Sequence, residues 1–395
     1  MYEIGSEFNF EKINDRTDFI ELLSHEAEKK NRYIEFLRCG RDAIGFVADD
    51  IIARSKTFDD DADRASKVFI PALSCDSMVK PFEVRGFEVV FYRLNEDLSV
   101  DKDYLEELIA FEKRPVVLVM NLFGITDTGA LSQSLKAKNE NTILIEDVTH
   151  IITEPENFLG GEGESLSDYH VGSIRKWLGV PDGAVAISKS EFVMGALTGE
   201  TDFSVLRAQA MEEKTRYLDN GDQNLKTHFR ALLSEAEDSL NDGLDPYIMS
   251  DLSADYLSEM DLDNLQHRRR VNYDTLYKAL KELPLCGKAF KLYDKVDTDA
   301  QTPFMLQIVL DIDFMQRSAI TDEGKSITRD MFERKLAENG LYAPVLWPIY
   351  DEARAVCKVA SDFSDNMLAF WIDQRYSRFD MENVAEIFAD TLSKI

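Results

Sequence analysis

Short, almost wholly apolar runs recur through the first half of the chain, each separated from the next by a stretch with helical spacing. "KVFIPAL", "FEVVFYRL", "PVVLVMNLFG" and "NTILIEDVTH" read as strands, while "RDAIGFVADDIIARS" reads as an amphipathic helix and "DKDYLEELIAFE" as a helix. A strand that is apolar at nearly every position has no face to give to water, so it belongs in a sheet covered on both sides. Helical crossovers then make neighbouring strands parallel. In such open sheets ligands gather beyond the carboxyl ends of the strands, so strand-ending residues are the ones to inspect.

This pattern predicts an N-terminal segment over residues 1–30 and a large α/β domain over 31–240. Connecting helices and a small α+β domain fill 241–395. At 395 residues and 44% hydrophobic content, the chain can bury one large core and a smaller one. From Thr201 to Glu282 it is charge-rich and helical. "TPFMLQIVLDIDF", "RDMFERKLAENGLYAPVLW" and "MENVAEIFADTLSKI" then supply a strand, a helix ending at Asn339-Gly340, a further strand and a closing helix.

Composition narrows the function classes. A net charge of −29 repels a phosphodiester backbone, and the one dense basic run, His267 to Arg270, reads as the solvated face of a helix, so no nucleic-acid partner is expected. No apolar run approaches the roughly 20 residues of a membrane span. The N-terminus begins with acids and lacks the basic start and apolar stretch of a secretory signal, which points to a cytoplasmic protein. Cys39, Cys75, Cys286 and Cys357 are scattered, with neither a CxxC pair nor a Cys/His cluster, so no disulfide framework and no metal site is expected. The acidic stretch around Asp59 to Asp61 lacks the glycine and closing glutamate of a calcium loop and reads as a solvated turn.

Three features carry chemistry. Gly40 stands where a helix begins, leaving free N–H groups and the positive end of a dipole for a phosphate, although a glycine there is also an ordinary turn. "ILIEDVTH" ends an apolar strand with Glu146 and Asp147, and His150 follows. A carboxylate at that position must be solvated, paired or functional, because burying it alone costs several kcal/mol. Lys176 follows Ser173 by three residues in "GSIRKWLGVPDGAVAIS", a segment too apolar for an ordinary surface lysine that is not snorkelling. A phosphate cup, a strand-end carboxylate and a lysine on a Ser-x-x-Lys turn, in that order, are what pyridoxal 5′-phosphate requires: a Schiff-base amine, a partner for the pyridinium nitrogen, and a phosphate hold.

The chain here resembles the DegT-type sugar aminotransferases, within the fold-type I pyridoxal-phosphate enzymes, and the likeness runs in order through most of its length. "CGRDAI" is similar to the family's phosphate turn, "IEDVTH" to its Glu-Asp-Ala-Ala-His/Gln, and "GSIRKWLGVPDGAVAIS" to its lysine loop and the strand after it. "LDNLQHRRRVNYDTLYKAL" resembles its Leu-x-x-Arg-Arg-x-x-x-Tyr helix. Ser74-Cys75 replaces the aromatic residue that usually stacks on the cofactor ring, and the lysine loop is two residues shorter than the family's.

The resemblance implies a large, mostly parallel α/β/α sandwich with a small α+β C-terminal domain. It implies Lys176 as the Schiff-base lysine and proton shuttle, Asp147 at the pyridine nitrogen, and His150 beside the ring or its 3′-oxygen. Gly40, Arg41 and Ser173 would hold the phosphate, with His228 or Arg230 reaching in from the neighbouring subunit of a homodimer. The expected reaction moves an amino group from an amino-acid donor such as glutamate to a nucleotide-linked keto sugar. A lyase or non-sugar aminotransferase of the same fold, and a non-catalytic binding module, are the alternatives.

Overall fold

A computed structural model of the chain describes every residue except 1–2, 11–16, 56–64, 125–127, 161–165, 242, 319–326 and 395. The acidic stretch at Asp59 to Asp61 therefore lies outside the described residues. The principal sheet has seven strands: β1 (Tyr33–Leu37), β2 (Lys67–Pro71), β3 (Glu88–Tyr92), β4 (Val116–Met120), β5 (Ile143–Asp147), β6 (Tyr169–Ser173) and β7 (Ala184–Ser188). Their order is β1-β7-β6-β5-β4-β2-β3. The run β6-β5-β4-β2-β3 is parallel, and β7 is antiparallel to both β6 and β1. Strands β4, β6 and β7 are buried at every residue; the apolar composition of β4 and β7 demands it, whereas β6 (Tyr-His-Val-Gly-Ser) is buried despite its polar residues.

Helix α1 (Phe19–Lys29) leads into β1, and α2 (Gly40–Ser55), α3 (Asp76–Glu83), α4 (Lys102–Ile109), α5 (Thr128–Lys138) and α6 (Pro155–Gly160) connect the strands from β1 to β6. Of these, α4 is buried through Leu105 and Ile109. The amphipathic reading of α2 does not hold. Its acids Asp42 and Asp50 are buried along with its apolar residues. Each has partners instead of water: Arg38 forks onto Asp42 at 2.8 and 3.0 Å, while Arg54 Nε and the Tyr169 hydroxyl each reach Asp50 at 2.7 Å. Polar residues that suggested a solvent face thus fasten the helix within the fold.

Beyond the sheet, α7 (Asp202–Asn220) and α8 (Gln223–Ser239) form an antiparallel hairpin turned at Gly221. Then come α9 (Asp251–Leu257) and the long α10 (Leu262–Lys281). Of the basic run in α10, His267 and Arg268 are exposed as expected, but the two arginines after them are not a solvated face. Arg269 is fully buried, donating to the carbonyls of Phe304 at 2.8 Å and Trp177 at 3.2 Å, and Arg270 pairs with Glu154 at 2.7 Å. Carbonyl groups that would otherwise lie unsatisfied inside the protein supply the partners. Among the described residues no helix is long and apolar enough to cross a membrane.

The second sheet, β8 (Phe290–Leu292), β9 (Leu306–Leu310) and β10 (Met367–Phe370), is antiparallel in the order β10-β9-β8. Helices α11 (Ile312–Ser318), α12 (Arg329–Glu338), α13 (Asp351–Val356), α14 (Lys358–Asn366) and α15 (Arg378–Ser393) complete this region. The strand expected within "LYAPVLW" is absent; β10 takes its place in the sheet. Pro344 and Pro348 each lack the N–H that a ladder needs, and Leu341 makes only an isolated bridge to Ile4. Ile4 itself is buried in the core around β9 and α15.

Candidate active site

Strand register decides which strand-end residues share a face. Asp147 lies opposite Val171, and Glu146 opposite His170. Because side chains alternate, Ser173 falls on the face of Asp147, whereas Glu146 points the other way. There Glu146 is fully buried beside His170 Nε2 at 3.5 Å, and Ser167 Oγ donates to it at 3.2 Å. The two adjacent acids thus have separate jobs, and only Asp147 faces the cleft.

That cleft lies at the carboxyl ends of the parallel strands. Cys39, Gly40 and Arg41 line it from the start of α2, Cys75, Ser77 and Met78 from the start of α3, and Asp147, Thr149, Ser173, Arg175 and Lys176 from the ends of β5 and β6. Trp347 and Leu240 close it. Of the residues expected from the sequence, Gly40, Arg41, Asp147, Ser173 and Lys176 all meet here.

Asp147 accepts the Thr149 N–H at 2.9 Å. Burial pushes its carboxyl above the ordinary range, opposed by the Thr149 hydrogen bonds and by the nearby Lys176 ammonium. Ile174–Lys176 make a 3-10 turn directly after β6, which carries the lysine back over the strand ends. Its Nζ lies 5.9 Å from the ring centre of Trp347. Beneath it the chain is fixed: Trp177 is fully buried, and its Nε1 donates to the Thr149 carbonyl at 2.6 Å. The Pro-Asp-Gly turn that follows is anchored through Asp182, which accepts from Ser204 Oγ at 2.5 Å and Ser250 Oγ at 2.9 Å.

His150 is buried just behind this group, with its ring stacked between Phe304, 4.3 Å away, and Phe123, 4.9 Å away. The Phe123 N–H donates to Nδ1 at 3.0 Å, so in the neutral ring the proton resides on Nε2. Burial, with the Lys176 charge adding to it, holds the imidazole well below its usual titration range. Nε2–H is a buried donor without a partner.

At the other end of the cleft, the Ser173 hydroxyl is also buried and unpartnered. A Cβ added to Gly40 would come within 3.3 Å of the Ser173 Cβ, so glycine keeps the approach to the amides of α2 open. Arg41 is partly committed, donating to the Leu240 carbonyl at 3.1 Å and to Asn241 Oδ1 at 2.8 Å. His228 stands apart within the chain: it is exposed on α8, with Nδ1 2.7 Å from Glu213, and does not line the cleft. Arg230 is exposed on the same helix. Arg375 grips Asp373 and the carbonyls of Ser6 and Glu7.

The sequence reading missed Thr149, Arg175's neighbour Glu237, and Trp347. The "DVTH" spacing contained the signal for Thr149, a hydroxyl two residues past a strand-end acid; Trp347 comes from the second region and has no such local cue.

No protein-family model matches the chain, and a comparison with curated proteins finds no match. Solved structures do match. Spr1654 of Streptococcus pneumoniae, assigned as a sugar aminotransferase, aligns in its PLP form with a TM-score of 0.63 at 15% identity, over 100% of this chain and 99% of its own. Helicobacter pylori PseC, an aminotransferase involved in the biosynthesis of pseudoaminic acid, aligns with a TM-score of 0.64 at 13% identity, over 100% of both chains. DesI, in the presence of its TDP-sugar product, aligns with a TM-score of 0.60 at 13% identity, over 97% of this chain and 86% of its own. The chain therefore has the fold of the fold-type I pyridoxal-phosphate-dependent transferases.

Proposed function

We propose that this protein is a pyridoxal-phosphate-dependent aminotransferase that moves an amino group from an amino-acid donor, glutamate in the simplest case, to a nucleotide-linked keto sugar. One observation carries the reading: Lys176, Asp147 and the unpartnered hydroxyl of Ser173 converge on one cleft at the strand ends, with the unpartnered Nε2–H of His150 directly behind. These groups fit the cofactor. Ser173 Oγ and the amides opening α2 suit a phosphate, and the clearance at Gly40 admits one. Asp147 suits a protonated pyridine nitrogen, whose charge would offset the cost of burying the carboxylate.

When bound, the cofactor supplies an aldehyde that bonds a primary amine and a ring that draws electrons from the carbon next to that nitrogen. The chain's own residues supply the rest. Lys176 would offer the amine and then carry the proton between carbon and nitrogen. Asp147, oriented by Thr149, would keep a proton on the ring nitrogen. His150 would donate from Nε2 to an oxygen of the bound cofactor; burial keeps the ring neutral, and the Phe123 N–H on Nδ1 fixes the tautomer. Trp347 shields the lysine from bulk water on one side.

The sugar part of the proposal is supported by Spr1654 and PseC, and the nucleotide part by DesI with its TDP-sugar product. We further propose a homodimer. Val193, Met194, Leu197, Val205 and Leu252 are apolar and exposed, and the Leu197–Tyr247 bridge brings two of these segments together. In that assembly His228 or Arg230 of one protomer would approach the phosphate end of its partner. The four thiols are free, which suits a reducing compartment such as the cytoplasm. Incubating the cofactor-loaded protein with glutamate and a panel of nucleotide-linked keto sugars tests the reading. Formation of 2-oxoglutarate together with an aminated sugar is the expected result; cofactor turnover with no sugar accepted would remove the substrate half.

A further inference from the structure

Arg175 sits between the two groups that define the cleft, one residue before Lys176 and two after Ser173. Its guanidinium approaches Glu237 of α8, with 3.2 Å between Nη2 and Oε1, and lies 5.2 Å from the centre of the Phe203 ring. Its Nε is buried with no partner. Glu237 also receives Arg207 Nη1 at 3.3 Å. Arg207 has further anchors, the Pro181 carbonyl at 2.8 Å and Glu7 at 3.6 Å. Among the described residues, Arg175 has Glu237 as its one carboxylate partner.

The end of α8 is held over the cleft. Arg41, the second residue of α2, bonds the Leu240 carbonyl and Asn241, and Leu240 packs with Cys39, Phe203 and Ala236. The Glu237 carboxylate therefore stands against Arg175, which lines the cleft together with Ser173, Leu240 and the start of α2. Burial alone would raise the Glu237 carboxyl, but Arg175, Arg207, Arg41 and Lys176 together hold it below its usual range, so it is an anion there.

We propose that Glu237 is a built-in competitor for the cofactor phosphate: it pairs with Arg175 at 3.2 Å, and Arg175 must leave it to meet the phosphate. This inference rests on the cofactor reading given above. Arg175 is free to turn because Glu237 keeps Arg207 when it leaves. The charge on α8 then sets how tightly the cofactor is held, since a carboxylate near a dianionic phosphate repels it and draws off its nearest guanidinium.

Equilibrium titration of the apo-protein with pyridoxal phosphate, and separately with pyridoxal, tests this. Glu237→Gln is expected to tighten pyridoxal phosphate by about tenfold, the effect of one charge-assisted contact, and Arg175→Gln to weaken it by a similar factor. Glu237→Asp, which keeps the charge, should stay near wild type. In the Arg175→Gln background the Glu237→Gln gain should shrink. Pyridoxal, which has no phosphate, should bind wild type and both Gln variants alike. Unchanged or weakened pyridoxal phosphate binding in Glu237→Gln, or an equal change for pyridoxal, would overturn the inference while leaving the cofactor reading intact. A wild-type chain that binds neither compound would overturn both. Far-ultraviolet circular dichroism confirms the fold of each variant, and Glu237, about half exposed, lies where a neutral isostere is tolerated.

Discussion

The Ser173 N–H donates to the Thr149 hydroxyl across 3.1 Å, tying the end of β6 to the loop that follows β5. The same threonine gives its own N–H to Asp147 and its carbonyl to Trp177. One residue thus sets the spacing between the acid, the phosphate-end serine and the lysine turn. Thr149→Val keeps the side-chain volume and leaves the Ser173 N–H without its acceptor, which costs about 1–3 kcal/mol of stability. Chemical denaturation should register that loss, and pyridoxal phosphate affinity should fall as well; unchanged values in both would mean that Thr149 does not organise the site.

Lys176→Ala should abolish covalent capture of the cofactor and leave loosely held, reversible binding. Borohydride reduction of the wild-type complex followed by peptide mapping is the direct measurement, with the label expected on Lys176. A label on Lys214, which is buried on α7, would reassign the amine.

Asp147→Asn should fold normally and lose turnover by at least about a hundredfold, because an amide cannot hold a proton on the ring nitrogen. Removing the buried charge should raise thermal stability slightly in the cofactor-free form, since burial already presses this carboxyl toward protonation. Near-normal transamination would assign the nitrogen to another residue.

Much of this was legible from the sequence because parallel strands write their burial directly: "ILIED" reads as an inner strand, and its terminal acid had to be solvated, paired or functional. Local pattern alone did not say which of Glu146 and Asp147 faces the cleft, although the family resemblance pointed to Asp147. That depends on register against β6, where His170 takes up Glu146. Arg269 was read as a surface residue because a basic run looks solvated until the carbonyls of Phe304 and Trp177, distant in sequence, close around it. Trp347 and Glu237 escaped for the same reason: long-range packing brings them to the lysine turn, and no local period marks them.

Gly172 has a packing role that composition alone hides. A Cβ there would stand 2.6 Å from Ile152 Cδ1 and 3.0 Å from Val148 Cγ2, on either side of the loop that carries Thr149 and His150. Gly172→Ala should therefore destabilise the fold by about 1–3 kcal/mol through overpacking. It should also lower cofactor affinity, which Gly195→Ala, with open space at its Cβ, should not.

His228→Ala and Arg230→Ala test the shared site of the proposed dimer. Sedimentation should give a dimer, and one of the two variants should weaken cofactor binding while leaving thermal stability at saturating cofactor close to wild type. A monomer that binds the cofactor tightly, with both variants unaffected, would confine the site to one chain.

Lys214 gives the fold a pH dependence of its own. It is buried on α7, where its ammonium donates to Ser6 Oγ at 2.8 Å and to the Glu7 carbonyl, fastening the N-terminal segment. Burial, with the charge of Arg375 in support, lowers its titration to about 7 despite the opposing acids Glu7, Asp373 and Glu3. An unfolded lysine titrates near ~10.4, so between these values the unfolded chain binds more protons than the native one. Stability linked to this residue therefore rises as pH increases from about 7 toward ~10, and levels off below 7, where both states carry the proton. Because the acidic surface changes little over this range, the contribution is isolated by comparing wild type with Lys214→Met in denaturant titrations at several pH values. Wild type should gain on the variant across that window; a constant difference would show that Lys214 keeps an ordinary titration in the folded protein.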